Sequence, residues 1–441
     1  MKHLNKTVTI LFAGFLTLAM SADALAAGFG VNERSALASG RITAVYGKLL
    51  APSTLFYNPA GMAELDGLQI SIGGQFISGT QTYSDPEGER AGTEGSLVKP
   101  IPNLAITYRL TDWWTLGTGI MVPHGLAVDW ADDFVGKSIV SFVELKAPHV
   151  VLGSGFQLME NLSLGVNGYF AFTQLELARD FVGNTVAIES HPLFQNQGDG
   201  LGFAGSIGLQ YRPLDKLHIG LHYKTKLDLD YKDGRFIMTN PDGDKLVEAL
   251  TQTEISLPGQ LDIAVGYDIS DDIYVELDAT YTQWSVLQEL SLRFSELDGD
   301  CGMGCSTTPI KSEEITPLKW EDVWFIRAGV DWQMNDDLLL SSGIGFDATP
   351  IPDETLSPLL PGSDRIPVSL GASYKIPSVP LFVDASYMFV YFLPRTVTGI
   401  EEPLENATTR FRATYETTAQ LFGLNLRYVP GASGTDAEAK K

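Results

Sequence analysis

Cysteine is almost absent from this 441-residue sequence. Only Cys301 and Cys305 occur, in the run Cys-Gly-Met-Gly-Cys. Two thiols without a nearby histidine or a further cysteine do not complete a tetrahedral metal site. In an exported chain, a pair this close favours one local disulfide inside a loop. We therefore predict a Cys301–Cys305 disulfide, and we expect no metal and no cofactor.

The chain also has few basic residues and few long apolar runs. Its 30 Lys and Arg stand against 54 Asp and Glu, which gives a formal net charge of −24. This balance excludes a phosphate-binding surface for nucleic acid and the basic patches that hold peripheral proteins on anionic lipid. After residue 26 no apolar window reaches about 18 residues, so the sequence excludes a membrane-spanning helix there.

Residues 1–26 have the composition of a secretory signal peptide. Lys2 and Lys6 precede an apolar run from Val8 to Met20, and Ala24-Leu25-Ala26 follows. A basic start, an apolar run shorter than the ~20 residues of a membrane span and an A-x-A end define such a leader. We expect cleavage after Ala26 and export of the mature chain.

From Leu68 onward the sequence repeats one pattern, an alternating segment followed by a break. Between Lys216 and Tyr231, apolar side chains such as Leu217, Leu221 and Leu229 alternate with polar ones such as His218 and Asp228. Because successive side chains of a strand point to opposite faces, one face is apolar and the other charged. Strands this long with such faces are typical of a transmembrane β-barrel, whereas a soluble β-sandwich or propeller is the alternative. Fourteen segments fit the pattern, near 68–80, 102–110, 113–130, 141–157, 161–179, 200–212, 216–231, 252–269, 272–292, 318–333, 337–347, 365–376, 380–393 and 411–428.

The connections between these segments alternate in length. Six are short turns, exemplified by Thr111-Asp112 and Pro213-Leu214-Asp215, and the seven between them are long. In outer-membrane barrels short turns face the periplasm and long loops face outward. We therefore predict an all-β fold, a 14-stranded antiparallel transmembrane β-barrel over residues 67–429. Residues 430–441 are expected to be a periplasmic tail.

An ordered set of motifs runs through the chain: Ala27-Gly28-Phe29 with Asn32-Glu33, Asn58-Pro59-Ala60, Tyr281-Thr282-Gln283-Trp284-Ser285, Gly343-Ile344-Gly345-Phe346-Asp347 leading to Pro350-Ile351-Pro352, and Leu421-Phe422-Gly423. This set resembles the FadL/TodX family of outer-membrane transporters for long-chain fatty acids and aromatic hydrocarbons. The resemblance covers nearly the whole mature chain. The resemblance implies a passive channel rather than an enzyme, in which ligand enters from outside and leaves sideways into the bilayer. It also implies an N-terminal hatch of short helical segments, which we place at residues 27–66, with Asn58, Pro59 and Ala60 as its motif.

The third strand contains a proline where a closed wall should be continuous. Val122, Pro123, His124 and Gly125 separate two strand-like stretches. Proline lacks the amide donor of a β-ladder and occurs in sheets at bulges or local breaks. We predict a lateral opening at these four residues, matching the kinked third strand of the family. The alternative is that the strand ends at Val122 and a loop begins.

Two basic residues are candidates for holding a ligand carboxylate. Arg179 matches an arginine with that role in the family, although a salt bridge to Asp180 or a solvated position is equally consistent with the sequence. A second basic ligand of the family is Thr316 here, with Lys319 three positions later. That departure leaves open whether the ligand is a fatty acid or an uncharged aromatic or alkane hydrocarbon.

The two long segments 180–199 and 232–251 carry apolar side chains, among them Phe181, Phe194 and Phe236. Apolar groups on extracellular loops are costly unless they pack together or bind something. We therefore predict an external landing site for hydrophobic molecules there, with packing between the loops as the alternative.

Other function classes have weaker support in the sequence. His218 and His222 share the predicted lumen face but lack a third metal ligand, and no serine stands in a spacing typical of a nucleophile. An open porin for hydrophilic solutes is the rival from a different class. The expected environment is the outer membrane of a Gram-negative bacterium, with outer-membrane lipid and lipopolysaccharide as neighbours. We expect a monomer that binds a long-chain fatty acid or another hydrophobic small molecule, and no nucleic acid.

Overall fold

The structure is a computed structural model. It describes residues 28–84, 90–92, 99–131, 134, 136–137, 139–180, 193–239, 245–299, 312–401 and 410–430. The predicted signal peptide, the Cys301–Cys305 pair, Phe181 and residues 431–441 lie outside the described residues.

The described chain is almost entirely β-strand. Its helical elements are α1 (Ala36–Ser39) and the 3-10 helices η1 (Pro52–Phe56), η2 (Pro59–Glu64) and η3 (Trp284–Val286). The strands are β1 (Leu68–Ser84), β2 (Arg90–Gly92), β3 (Lys99–Thr111), β4 (Trp114–Asp129), β5 (Phe142–Met159), β6 (Leu162–Asp180), β7 (Leu193–Leu214), β8 (Leu217–Lys224), β9 (Leu227–Thr239), β10 (Lys245–Leu257), β11 (Gln260–Asp268), β12 (Ile273–Thr282), β13 (Glu289–Gly299), β14 (Glu313–Pro317), β15 (Val323–Asn335), β16 (Leu338–Asp347), β17 (Arg365–Lys375), β18 (Leu381–Phe392), β19 (Arg395–Glu401) and β20 (Arg410–Tyr428). No helix among these elements is long and apolar enough to cross a membrane.

The sheet closes on itself as an antiparallel barrel. Around the wall the order is β1-β3-β4-β5-β6-β7-β8-β11-β12-β15-β16-β17-β18-β20. β20 then pairs with β1 from Ile70–Tyr428 to Ser84–Thr414, which closes the ring. These fourteen wall strands confirm the predicted barrel and its strand number.

Alternation places apolar side chains on the outside of the wall. On β8, Leu221 and Tyr223 are exposed, whereas His222 and Lys224 are buried toward the lumen. Phe203 and Leu370 are more than half exposed, at 66% and 61%. Such a surface is unfavourable in water and suits the hydrocarbon core of a bilayer. Aromatic residues ring the end of the barrel that carries the short turns, as expected for an interfacial girdle: Trp113, Tyr211, Tyr267, Trp332, Tyr374 and Tyr428.

Several segments that we predicted to be loops are strand extensions instead. The 232–251 segment forms most of the β9–β10 hairpin, and β7 begins at Leu193, well inside the predicted 180–199 loop. β13, β14 and β19 likewise extend into predicted loops. The prediction was wrong there because the hairpins continue past the membrane, where neither face must be apolar and the alternation of hydrophobicity is lost.

Four neighbouring wall segments are interrupted at one height. The interruptions, which we call the break belt, are residues 225–226, 258–259, 283–288 and 318–322. They lie level with one another because Lys224 pairs with Gln260, Gln260 with Thr282, and Thr282 with Val323. Beyond the belt β7 pairs with β9, and β9, β10, β13 and β14 form an outer sheet. The belt therefore divides three of the predicted single strands in two, namely 216–231, 252–269 and 272–292.

The residues before β1 lie inside the barrel. This N-terminal segment, residues 28–66, hydrogen-bonds to strands on opposite sides of the wall. Ala36 N donates to Asn425 on β20 (2.8 Å), Leu55 O accepts from Asn167 on β6 (2.9 Å), and Val45 N donates to Asp278 on β12 (2.9 Å). A short segment can reach these three strands only from within the ring.

Candidate functional site

The wall has a gap between the outer halves of β3 and β4. β3 pairs with β4 only as far as Leu104–Ile120, and its remaining residues, 99–103, pair with β1 alone. β4 then pairs with β5 on its other edge. The alternating burial of β4 stops at this point, and every residue from 119 to 128 is buried. This half of β4 therefore presents no face to lipid.

A bulge at Pro123 redirects β4. The register with β5 passes from Met121–His149 to His124–Ala147, so Val122 and Pro123 oppose a single residue, Pro148. Extra residues of this kind bend a strand and disturb its ladder. Val122, Pro123, His124 and Gly125 thus lie at a bulge inside a continuous strand, and the alternative that the strand ends at Val122 is wrong.

The start of the N-terminal segment pairs with the free edge of β4. Gly30 forms a β-bridge with His124, Val31 N donates to Pro123 O (2.8 Å), and Gly125 N donates to Phe29 O (2.9 Å). We call residues 28–31 the N-terminal arm. Val31 packs in a cluster with Ile101 of β3 and Val122 of β4. The arm therefore fills the gap that β3 leaves.

The Phe29 ring on this arm packs against two tryptophans of the break belt. Its ring centroid lies 5.0 Å from Trp284 and 5.6 Å from Trp320, and the two indoles are 5.1 Å apart. Gly28 has a φ of +62°, and a Cβ added there would lie 2.7 Å from the Trp284 ring. Edge-to-face aromatic contacts of this kind add to the free energy of apolar burial.

These three rings belong to a larger apolar region, which we call the lumen cluster. Its buried members come from both sides of the barrel and include Phe29, Leu126, Val128, Trp130, Val143, Leu145, Leu175, Leu227, Leu229, Tyr231, Ile255, Leu257, Trp284, Leu287, Leu318, Trp320, Ile351, Leu356 and Tyr415. A buried apolar region of this size inside the barrel suits a hydrophobic ligand.

The Asn58-Pro59-Ala60 motif fixes the segment against the opposite wall. Asn58 caps η2 by accepting from Ala60 N (3.2 Å), and its Nδ2 donates to Tyr46 O (2.9 Å) and Leu209 O (3.1 Å). Pro59 follows at the first helical position, where its missing N–H costs nothing. The motif contacts β6 and β7, whereas the bulge at Pro123 is contacted by Gly30 and Val31.

Ion pairs anchor the middle of the segment to β12 and β15. Arg41 lies 3.2 Å from Asp331 and 3.8 Å from Glu276, and Gly47 N donates to Glu276 (2.6 Å). Arg327 donates to Thr43 O (3.0 Å). Removing one member of a buried pair leaves an uncompensated charge, so these contacts are strongly interdependent. No local pattern in the sequence identifies Arg41, Glu276 or Arg327 as anchors of this segment, because each contacts a residue far away in the chain.

Tyr57 connects the segment to its own start. Its hydroxyl accepts from Arg34 N (2.9 Å) and donates to Asn32 O (3.2 Å). Burial raises the pKa of Tyr57 to about 12, so the phenol keeps its proton at neutral pH. The residues just after the arm are therefore fixed by hydrogen bonds to Tyr57.

The side chains of Arg179, Lys319 and Phe236 are not among the buried members of the lumen cluster. Arg179 forms a two-point ion pair with Glu314 on β14 (2.7 and 2.6 Å). Lys319 is more than half exposed and pairs with Glu354 (3.0 Å). Phe236 is buried in the outer sheet against Phe294, at 5.2 Å between centroids. The backbone of Phe194 pairs with Met238 on β9.

The two lumen histidines on β8 are both paired with carboxylates. His218 Nε2 lies 2.6 Å from Asp268, and His222 Nδ1 lies 2.8 Å from Asp262. Asp268 also accepts from Lys48 of the N-terminal segment (2.9 Å). These histidines therefore take part in polar networks of the lumen.

A closed barrel with an apolar outer band, an internal N-terminal segment and an apolar cluster in its lumen is the architecture of an outer-membrane channel for hydrophobic molecules. The family model described as "Outer membrane protein transport protein (OMPP1/FadL/TodX)" matches residues 17–429. The chain therefore belongs to this family of outer-membrane proteins, which transport hydrophobic small molecules.

Relatives and solved structures of this family resemble the whole chain. "Outer membrane protein P1" of Haemophilus influenzae is 26% identical over 97% of this chain and 100% of its own length. "Long-chain fatty acid transport protein" of Escherichia coli K12 is 24% identical over 93% and 96%. The crystal structure of a Pseudomonas aeruginosa FadL homologue has a TM-score of 0.78 at 19% identity, covering 91% of this chain and 100% of that one. The Pseudomonas putida toluene transporter TodX has a TM-score of 0.70 at 16% identity, covering 91% and 99%.

Proposed function

We propose that this protein is a passive channel that carries long-chain fatty acids across the outer membrane and releases them sideways through the gap between β3 and β4. Relatives named for long-chain fatty acid transport support the ligand class. The second candidate is an aromatic or alkane hydrocarbon, which the uncharged lining of the lumen cluster and the toluene transporters among the similar structures favour. Neither ligand class requires a catalytic group.

One observation carries the proposal: a single short arm contacts both the lumen cluster and the wall gap. Phe29 packs against Trp284 and Trp320, while its neighbours Gly30 and Val31 pair with β4 at the bulge. A ligand that competes with the Phe29 ring for the tryptophans must displace the arm. Displacement breaks the main-chain bonds to Pro123 and Gly125, and the gap in the wall opens. Binding and release are then two consequences of one movement.

We propose further that the N-terminal segment, apart from its arm, acts as a fixed hatch. It is tied to the wall by the Arg41 ion pairs and by Asn58. A fourteen-stranded ring lies near the size at which a lumen becomes an aqueous channel. The hatch excludes polar solutes, and the arm alone moves.

A reversible cross-link tests the role of the arm. Residues directly opposite each other on antiparallel strands have Cα atoms about 4.5–5.5 Å apart, within the range that a disulfide spans. Gly30→Cys with His124→Cys joins the arm to β4, in a background where Cys301 and Cys305 are serine. We expect uptake of radiolabelled oleate by cells to fall when the cross-link is oxidised and to recover on reduction.

The matched control places the same cross-link where no movement is required. Ile77→Cys with Leu421→Cys joins two buried, directly paired residues of β1 and β20. Oxidation of this pair should leave uptake unchanged. Equal uptake by the oxidised and reduced arm variants would refute release through this gap.

A further inference from the structure

Lys224 stands at the end of β8, directly below the break belt. Its side chain is on the lumen face and the residue is 8% exposed. In the ladder it lies opposite Ser206 of β7 and Gln260 of β11, which are both buried. The next residues of the chain, 225–226, belong to the belt, and Leu227 beyond them lies in the lumen cluster. The ammonium group is therefore located at the lower border of the apolar region.

Two buried arginines of the barrel are each bonded to a carboxylate: Arg365 pairs with Asp347 (2.6 Å) and Arg427 with Asp384 (2.5 Å). Within the part of the chain that the structure describes, the side chain of Lys224 makes neither a hydrogen bond nor an ion pair. Burying an ammonium group without such a partner is costly.

A neighbouring carboxylate in the ladder, that of Asp262 opposite His222, already has hydrogen-bond partners. Asp262 binds His222 (2.8 Å) and Thr280 (2.6 Å), so its two oxygens are occupied. A second cation, Arg34 of the N-terminal segment, interacts with both Lys224 and Asp262. Arg34 is 5% exposed; it donates to Phe56 O (2.7 Å), and its Nε has no partner among the described residues. Two buried cations thus share one carboxylate, which leaves an excess of positive charge.

A row of polar and aromatic side chains leads from Lys224 to the wall gap. Ser206, opposite Lys224, hydrogen-bonds to Tyr169 (2.9 Å). The Tyr169 ring lies 6.4 Å from His149, and His149 lies 5.9 Å from His124 at the β4 bulge. His124 is buried, and its Nδ1 has no hydrogen-bond partner among the described residues. This row therefore runs from the residue opposite Lys224 to the β4 bulge at the proposed exit.

We propose that Lys224 binds the carboxylate of the transported ligand, with the Arg34 guanidinium beside it, while the acyl chain lies in the lumen cluster. This inference rests on the proposed function and narrows its ligand class to long-chain carboxylic acids. A carboxylate supplies the charge-assisted hydrogen bonds that the ammonium lacks. Arg179 and Lys319 do not fill this role, because Glu314 and Glu354 already occupy them.

Tryptophan quenching by a brominated ligand tests the assignment. Trp284 and Trp320 line the lumen cluster, and bromine quenches nearby indole fluorescence. Purified full-length protein is titrated with ω-bromolaurate and with the neutral ω-bromododecanol. A Trp284→Phe/Trp320→Phe variant measures the background from the other tryptophans. We expect Lys224→Met to weaken binding of the acid roughly ten- to hundredfold, as for loss of a charge-assisted hydrogen bond, and to leave binding of the alcohol unchanged.

Two further variants separate charge from structure. Lys226→Met removes an exposed lysine two positions away that pairs with Asp228 (2.9 Å), and it should affect neither ligand. Lys224→Arg should keep most of the affinity for the acid. Heat-modifiable mobility in gel electrophoresis shows that each barrel is folded.

The outcomes separate this inference from the proposed function. Unchanged binding of the acid by Lys224→Met, or equal losses for acid and alcohol, would overturn the carboxylate role of Lys224. Failure of the unaltered protein to bind either ligand would instead count against the proposed function itself.

Discussion

Gly155, Gly165 and Gly208 lie side by side on β5, β6 and β7 and form the surface on which η2 rests. Gly155 pairs with Gly165, and Gly165 pairs with Gly208. A Cβ added at Gly165 would collide with the backbone of Pro59 and Ala60, and one at Gly208 would collide with the Asn58 side chain. Here the absence of a side chain is what allows the motif to approach the wall.

Gly165→Ala should therefore displace the hatch while leaving the barrel intact. The added methyl group meets backbone atoms that cannot rotate away, so we expect a cost of about 1–3 kcal/mol. In planar bilayers the variant should show frequent open-channel events that the unaltered protein lacks. Gly168→Ala is the matched control, because a Cβ at Gly168 on the same strand meets nothing within 4 Å. Identical traces for the two variants would contradict the packing role of Gly165.

At this scale the sequence shows residue types but not their partners. Asn58-Pro59-Ala60 was recognisable because the three residues form a contiguous motif of the family that the chain resembles. Arg179 was a candidate ligand residue, whereas the structure pairs it with Glu314, 135 positions away. The position of Lys224 relative to carboxylates depends on several strands at once. Local patterns carry no information about such distant pairing.

The strand β4 shows how an element can be continuous and still open the wall. Pro123 and Pro148 face each other at the bulge, and neither has an amide hydrogen to donate. The inner half of β4 pairs with β3, and the outer half pairs with the N-terminal arm. Neither proline can donate to the β4–β5 ladder, so that ladder is interrupted at the bulge while β4 itself continues past it.

A Pro123→Val/Pro148→Val variant should close the gap more tightly. Both strands regain a backbone donor, so the bulge loses its advantage and β4 can straighten toward β3. We expect oleate uptake by cells to fall at least about tenfold. The affinity for ω-bromolaurate, measured by quenching of Trp284 and Trp320, should change less than about twofold, because the variant blocks release rather than binding. Normal uptake with a folded, heat-modifiable barrel would show that the bulge does not control release.

The sequence predicted the elements of the wall well and their interruptions poorly. Alternation of apolar and polar residues has a period of two, and it identified all fourteen wall segments. Across 225–226 the alternation continues without a gap, so β8 and β9 read as one strand. The outer part of the sheet was read as loops, because apolar and polar residues do not alternate regularly along 232–251. The pairing of the arm could not be predicted for another reason, because Gly30 pairs with His124, which lies 94 positions later in the chain.

For the whole molecule, the charges of the lumen follow from the presence of the N-terminal segment. Glu276, Asp278 and Asp331 point inward, and Arg41 of the segment and Arg327 of β15 balance them. Asp268 is shared by Lys48 and His218. The segment therefore supplies part of the positive charge that makes burial of these acids tolerable. Without it the inner wall is predominantly acidic.

Deletion of residues 28–62 should produce an open pore that prefers cations. Arg34, Arg41 and Lys48 leave with the segment, while Glu276, Asp278 and Asp331 remain on the wall, and rings of acidic side chains select cations. Reversal potentials across a KCl gradient measure the preference, and Glu276→Gln/Asp278→Asn in the same deletion should reduce it. Gly165→Ala, with the segment displaced but present, should open less often and show weaker cation selectivity. A deleted barrel as tight as the full-length protein would refute the hatch, and an anion-selective pore would refute the charge argument alone.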